Sequence, residues 1–273
     1  MKIKVLVENT AISKEFKSKH GLCLHIETAR HNVLFDLGGN GLFVKNAEKM
    51  GVDLSKVDTV VISHGHIDHG GGLKDFLTIN KTAKIYIRQC AFDKHFIKVL
   101  GLPINVGLNR KLQSNNQIIF TDELCEIDEE LTLFSNVNND GFDTKSNGAL
   151  YAKSNGKLLK DDFAHEQNLI VKEDGKMVLL SGCSHAGIVN ILSKAEEIVG
   201  DKIHTTIGGF HLYNPPTKKY ESADLIDNLS VALCKKDCQF YTCHCTGVKA
   251  YEQMKGTLED RLCRLSTGAE IEL

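Results

Sequence analysis

The stretch His64-Gly65-His66-Ile67-Asp68-His69 places four candidate metal ligands in six positions, directly after the apolar run 57–63. Imidazole and carboxylate are the donors that Zn²⁺, Fe²⁺ or Mn²⁺ prefer. In extended chain, residues two apart point the same way, so His64 and His66 can grip one ion together. Asp68 and His69 fall where the chain must turn, and Gly70, Gly71 and Gly72 give it the freedom to do so. They can therefore face a second ion beside the first.

Strand-like runs extend on both sides of this motif. They cover 3–7, 22–27, 33–36 and 59–63, then 84–87, 117–120, 131–134, 168–172 and 178–181. Helical patterns lie between them at 42–50, 72–79 and 92–100, and later at 188–199, 222–234 and 248–255. Strands come first in meander-like series and then alternate with helices in both halves. The expectation is an α/β (α+β) chain with two sheets packed face to face and helices outside each. Residues 1–273 read as one domain. The stretch 136–167 has the weakest element signal. Its turn formers include Asn136, Asn138, Asn139, Asp140, Gly141, Asn147, Gly148, Asn155 and Gly156. Ala149, Leu150 and Tyr151 between the turns suit a hairpin. A segment this long is either a solvated insertion or a functional lid.

Three more histidines share the setting of the first motif: an apolar run, small residues, then the ring. His185 follows Ser181, Gly182, Cys183 and Ser184. His211 follows Gly208, Gly209 and Phe210, and His244 sits between Cys243 and Cys245 after Phe240, Tyr241 and Thr242. A strand end that leads into a helix is where α/β proteins build sites, so all three are read as site residues. Asp36, between Phe35 and Leu37-Gly38-Gly39, is a carboxylate at another strand end and suits the orientation of a ligand histidine. His20, His25, His31, His95 and His204 lack this setting and are read as surface or packing residues. His165, near Asp161, Asp162 and Glu166, is intermediate.

The 42% hydrophobic and 25% charged content is that of a globular protein. A net charge of −2 argues against a nucleic-acid binder built on bulk electrostatics. No run reaches the roughly 18 apolar residues of a membrane span, and the start, Met1-Lys2-Ile3-Lys4, has no secretory pattern. The expected setting is cytoplasmic, with a small molecule as partner; a homo-oligomer is compatible with this composition. Nine cysteines, an odd number, suit reduced thiols. Cys234, Cys238, Cys243 and Cys245 could hold zinc or an iron–sulfur centre. Their spacings fit no common cluster signature, which favours buried free thiols.

With these residues in place, the chain resembles the metallo-β-lactamase fold superfamily, whose hallmark His-x-His-x-Asp-His stands at His64 to His69. Phe35-Asp36-Leu37-Gly38 looks like that superfamily's first motif. The segments 182–187, 208–212 and 244–247 are similar to a branch of metal-dependent hydrolases. That branch is related to dihydropterin ribofuranosylaminobenzene phosphate synthase. The resemblance implies a four-layer αββα sandwich with a site for two divalent ions, zinc first and Fe or Mn as alternatives. It implies that His64 and His66 bind one ion, Asp68 and His69 the other, and that His244 is the final histidine ligand. Where many members read Gly-Asp as a bridging carboxylate, this chain reads Gly182-Cys183-Ser184-His185, and His185 is expected to take over as a ligand.

The mechanism this implies is hydrolysis, with two cations lowering the pKa of a shared water. A phosphoester, cyclic phosphodiester, lactone or thioester would suit it. Asp68 would orient the nucleophile, and His211 is read as a proton donor to the leaving group rather than a ligand. Lys218 and Lys219 read as an exposed basic turn. One alternative is a synthase-like transferase, and another, of a different class, is a non-catalytic metal or redox sensor. Di-iron relatives with a flavin domain replace the second histidine by glutamate, so His66 argues against them.

Overall fold

The computed structural model describes all residues except Asp143 and Asn155, so the turn expected at Asn155 lies outside the described residues. Two seven-stranded sheets carry the architecture. The first runs, in spatial order, Glu270–Glu272, Lys2–Val7, Cys23–Glu27, Asn32–Phe35, Thr59–Val61, Lys84–Arg88 and Ile118–Thr121. The second runs Leu262–Arg264, Gln239–Thr242, Thr205–Gly208, Lys176–Leu180, Gln167–Glu173, Leu131–Ser135 and Leu124–Glu126. Each sheet is antiparallel in one part and parallel in the other.

The strands alternate with period two, and that alternation builds the layers. Val33, Phe35 and Val61 point inward with Leu131, Leu133, Leu169, Val171, Val178 and Leu180 of the second sheet, forming the core between the sheets. Leu34, Val60 and Ile62 point outward beneath helices α1 (Leu42–Lys49) and α3 (Leu73–Ile79), which contribute Phe43, Ala47, Leu73 and Phe76. Between these two helices the chain makes the short helix α2 (Ile67–Gly70). Ile170 and Leu179 point outward beneath α4 (Ile188–Val199), α5 (Ala223–Cys234) and α6 (Val248–Leu258). This is the four-layer αββα sandwich. Each fully buried Leu, Ile or Phe stabilises it by about 1.5–3 kcal/mol of transfer free energy, which fixes where the strand ends stand.

The helix expected over 92–100 is a strand. Lys94–Val99 pairs on one side with Leu102–Asn105 and on the other with Leu150–Ser154, whose hairpin partner is Lys157–Lys160. Phe92, Phe96 and Val99 are spaced as on a helix face, but β-branched Ile97 and Val99, with the half-buried Lys98 between them, fit a strand. The cross-strand hydrogen bonds decide between the two. The 136–167 stretch therefore contains a short 3₁₀ turn, Lys145–Ala149, and the hairpin, whose two strands belong to a small third sheet.

Candidate metal centre

Asp36, His64, His185, His211 and His244 all follow the carboxyl ends of parallel strands, and the two sheets bring these ends to one edge of the sandwich. The approach is close. A Cβ at Gly182 would collide with Ser63 Oγ and stand 3.1 Å from His64 Nδ1, so only glycine lets the two half-sites meet.

In the first half, one carboxylate sets two rings. Asp36, fully buried, accepts from Ser63 N and Ser63 Oγ, both at 2.7 Å, and from His69 Nδ1 at 2.6 Å. Because the Ser63 hydroxyl donates to Asp36, its oxygen accepts from His64 Nδ1, at 2.9 Å. Both rings therefore carry Nδ1–H and turn Nε2 toward the site. This is the orienting arrangement typical of metal-ligand histidines.

In the second half, the orienting groups are amides. Asn147 Oδ1 accepts from His185 Nδ1 at 3.0 Å, and its Nδ2 donates to the His185 carbonyl at 2.9 Å. Asn9 repeats the clamp on His244, with Oδ1 at 3.1 Å from Nδ1 and Nδ2 at 3.0 Å from the carbonyl. Glu166 fixes the same loop from beneath by accepting from the backbone N–H groups of His185 and Ala186. Burial first, against those two hydrogen bonds, raises its pKa to about 7.

The donors left over fit metal ions. His64, His66 and His185 are buried with ring centroids 4.6, 5.0 and 5.2 Å apart, and the Nε2 of each has no hydrogen-bond partner. Three buried imidazole lone pairs without a donor are costly unless a cation takes them. Burial, followed by the neighbouring rings, pulls the pKa of all three well below the usual histidine value, so they are neutral, as ligands must be. Beside them, His69 Nε2 lies 3.1 Å from His244 Nε2 and 3.7 Å from Asp68 Oδ2, and His244 Nε2 lies 3.3 Å from Asp68 Oδ2. Burial works against a charge on either residue. Even so, Asp36 and Asp68 raise His69 to about 9, and His69, His20 and His244 hold Asp68 well below the carboxylate range. A second cation would relieve this crowding of donors. The residues present therefore fit two ions, the first at His64, His66 and His185 and the second at Asp68, His69 and His244.

A cavity of about 380 Å³ opens over these donors, walled by Ile67, Ile97, Val106, Leu150, Tyr213, Pro215 and Pro216. His211 reaches its wall with both ring nitrogens buried and unpartnered. Asp36, Ser184, His211 and His244 all hold φ between 50° and 60°. Left-handed backbone at four non-glycine residues of one edge is the strain that functional sites retain.

Behind the first motif lies a second buried network. Asp161 accepts from His95 Nδ1 at 3.0 Å and His165 Nε2 at 3.2 Å, while His165 Nδ1 accepts from Gly65 N at 3.0 Å. His95 Nε2 faces the Cys90 carbonyl at 3.2 Å. These rings have no lone pair to spare for a metal, and they hold Gly65 between the two leading histidines.

Residues 19–89 match the sequence profile of the metallo-beta-lactamase superfamily. A 7,8-dihydropterin-6-methyl-4-(beta-D-ribofuranosyl)-aminobenzene-5'-phosphate synthase of Methanocaldococcus jannaschii is 30% identical over 299 aligned residues, covering 100% of this chain and 96% of that one. The chain belongs to the metallo-beta-lactamase superfamily. A crystal structure of a metal-dependent hydrolase of this superfamily is also similar, with a TM-score of 0.85 and 30% identity over 100% of this chain and 99% of that one. An uncharacterized protein of Methanocaldococcus jannaschii is 27% identical, covering 92% of this chain and 93% of its own.

The structure brings His64, His66, Asp68, His69, His185, His211, His244 and Asp36 together at one edge of the sandwich. Sequence reading passed over the residues around them. Asn147 carried only a turn signal and Asn9 none. His20, read as a surface or packing residue, stands 3.1 Å from Asp68 and with its ring 4.6 Å from that of His244. His95 is buried in the network behind His66, whereas His25, His31 and His204 pair elsewhere. Among the four clustered cysteines, Cys238 bonds Thr206 and Cys234 meets Arg261, so they do not converge; Cys245 alone reaches the cavity.

Proposed function

We propose that the chain is a metal-dependent hydrolase acting on a phosphodiester, lactone or thioester, with two divalent ions, most simply zinc, at the edge site. The observation that carries this reading is the trio of buried, unpartnered Nε2 atoms beside Asp68, His69 and His244, with His66, His185, Asp68 and His244 on the wall of one apolar cavity. Bound ions would supply Lewis acidity and a water acidic enough to ionise near neutral pH.

The chain's own groups supply the rest. Asp68, a carboxylate with one face on the cavity, accepts a hydrogen bond from the attacking water and aligns it. His211, free at both nitrogens, donates a proton to the leaving group. The apolar wall excludes bulk water and strengthens these interactions. Among the described residues no lysine or arginine lines the cavity, and Lys218 and Lys219 are exposed on the turn beyond it. A phosphomonoester dianion would find no cationic side chain there, which favours neutral or singly charged esters.

Metal analysis of the purified chain, with turnover of chromogenic phosphodiesters, phosphomonoesters, lactones and thioesters, tests this. Two ions per chain and a loss of at least about a hundredfold in Asp68→Ala are expected; full turnover in that variant would overturn the reading. The synthase name of the Methanocaldococcus jannaschii relative supports a second reading, transfer to an acceptor other than water. Product that forms only when an acceptor is added would favour it.

A further inference from the structure

Between the two sets of imidazoles stands a thiol. Cys183 Sγ lies within 4.8 Å of ligand atoms of His64 and His185 on one side and of His69 and His244 on the other. Its contact with His69 Nε2 is 3.2 Å. Among the described residues no other side chain belongs to both sets. Asp68 groups with His20 and His244, and Asp36 is engaged by Ser63 and His69. Two cations held mainly by imidazole rings, with Asp68 as the one carboxylate among the donors and on one side only, leave positive charge in a buried place. An anionic donor between them would offset it.

We infer that Cys183 is a thiolate ligand shared by the two ion positions, the single side chain that joins both half-sites electronically. The inference rests on the metal-dependent reading above. Three features single out this cysteine. The unpartnered Nε2 atoms of His64 and His185 stand beside its sulfur, so an ion that satisfies them is within reach of it. The strand end Ser181-Gly182 packs on Ser63 and so fixes how closely the sulfur can approach the first half. Nearby Cys245 is already satisfied: its Sγ accepts from His211 N at 3.3 Å and donates to the Cys183 carbonyl at 3.5 Å. On binding, the Cys183 S–H bond breaks heterolytically. The proton goes to solvent and sulfur lone pairs go to the ions, with no change in oxidation state. Soft sulfur also biases the site toward zinc or iron over magnesium or calcium.

Cobalt(II) titration of the chelator-stripped full chain tests this by absorbance, without any substrate. The parent should take two ions with a sulfur-to-metal charge-transfer band in the near ultraviolet. Cys245→Ser should keep that band and Cys183→Ser should lose it. Cys183→Asp should bind two ions without the band and release about one proton fewer per chain than the parent, because its carboxylate is already ionised. Melting curves of the stripped variants check that each is folded. A band that survives in Cys183→Ser, or a parent loaded with two ions and lacking the band, overturns the thiolate while leaving the metal reading standing. A parent that takes up no ion overturns both.

Discussion

On the first sheet a single carboxylate, Asp36, orients His69 directly and His64 through Ser63, whereas on the second sheet His185 and His244 are each held by an asparagine that grips both ring and carbonyl. Geometrically the two solutions are equivalent, since each fixes Nδ1–H and presents Nε2. Electrostatically they differ. A carboxylate makes its ring more basic, and His69 stands at about 9, with Asp36 and Asp68 outweighing burial. An amide leaves burial in charge, and His185 and His244 lie below the ordinary histidine value. One half is thus organised through charge and shared partners, the other through independent neutral clamps. Loss of a partner should spread in the first half and stay local in the second.

Asp36→Asn probes the sharper side of this contrast. The variant keeps the shape but replaces an acceptor-only group that receives three hydrogen bonds in a fully buried position. It should destabilise the fold by about 3–5 kcal/mol, the usual cost of breaking a buried charged network. Metal binding should fall by about a hundredfold at both ion positions. Equilibrium unfolding with a metal titration would show this; a variant that loses only one ion would mean that Ser63 does not relay the orientation to His64.

Asn147→Ala and Asn9→Ala should be milder and separable. Each frees one ring, so affinity should fall by about tenfold at one position and stay unchanged at the other. Competition with a fluorescent chelator reads the two sites. Equal losses at both sites in either variant would refute the idea of independent clamps.

The smallest effect is expected far from the edge, where a histidine meets carboxylates at the surface. His31 lies 2.7 Å from Asp128 and 3.1 Å from Asp58. Burial lowers its pKa, but the two carboxylates together raise it above the usual value. A raised histidine stabilises the fold fully below about pH 6.5, its unfolded value, and the contribution is lost as pH rises through the folded value. His31→Ala should therefore cost under about 1 kcal/mol, discounted for solvent screening. The cost should be visible at pH 5 to 6 and absent near pH 9 in melting curves taken across that range. A cost that grows with pH would contradict the assignment.

Much of the candidate site was legible because the signal was local. Four donors in six residues, and three later histidines each placed after an apolar run and small residues, announced the strand ends that carry them. Period-two alternation and helical patterns likewise gave both sheets and five of the helices. What failed depended on contacts distant in sequence. The segment 92–100 has an apolar spacing that a helix would satisfy, and its pairing with Leu102–Asn105 and with Leu150–Ser154, some fifty residues on, makes it a strand. Asn9 lies 235 residues from His244, and nothing in its neighbours marks it as a clamp. Cys183 was visible only as the place where an expected carboxylate was missing; its position between the two sets of rings is a property of the packed edge.

Gln167 links the two halves mechanically. It lies in the second sheet, yet its backbone N–H donates to Ser63, its side-chain amide donates to the carbonyls of Ile62 and Tyr86, and its Oε1 accepts from Thr121, all on the first sheet or its ends. Prising the sheets apart at this edge would break four buried hydrogen bonds at once. The Gln167 amide should accordingly be among the slowest to exchange with heavy water, opening only when the whole chain unfolds. Hydrogen bonds of the protein's own groups therefore hold the two sides of the candidate site together.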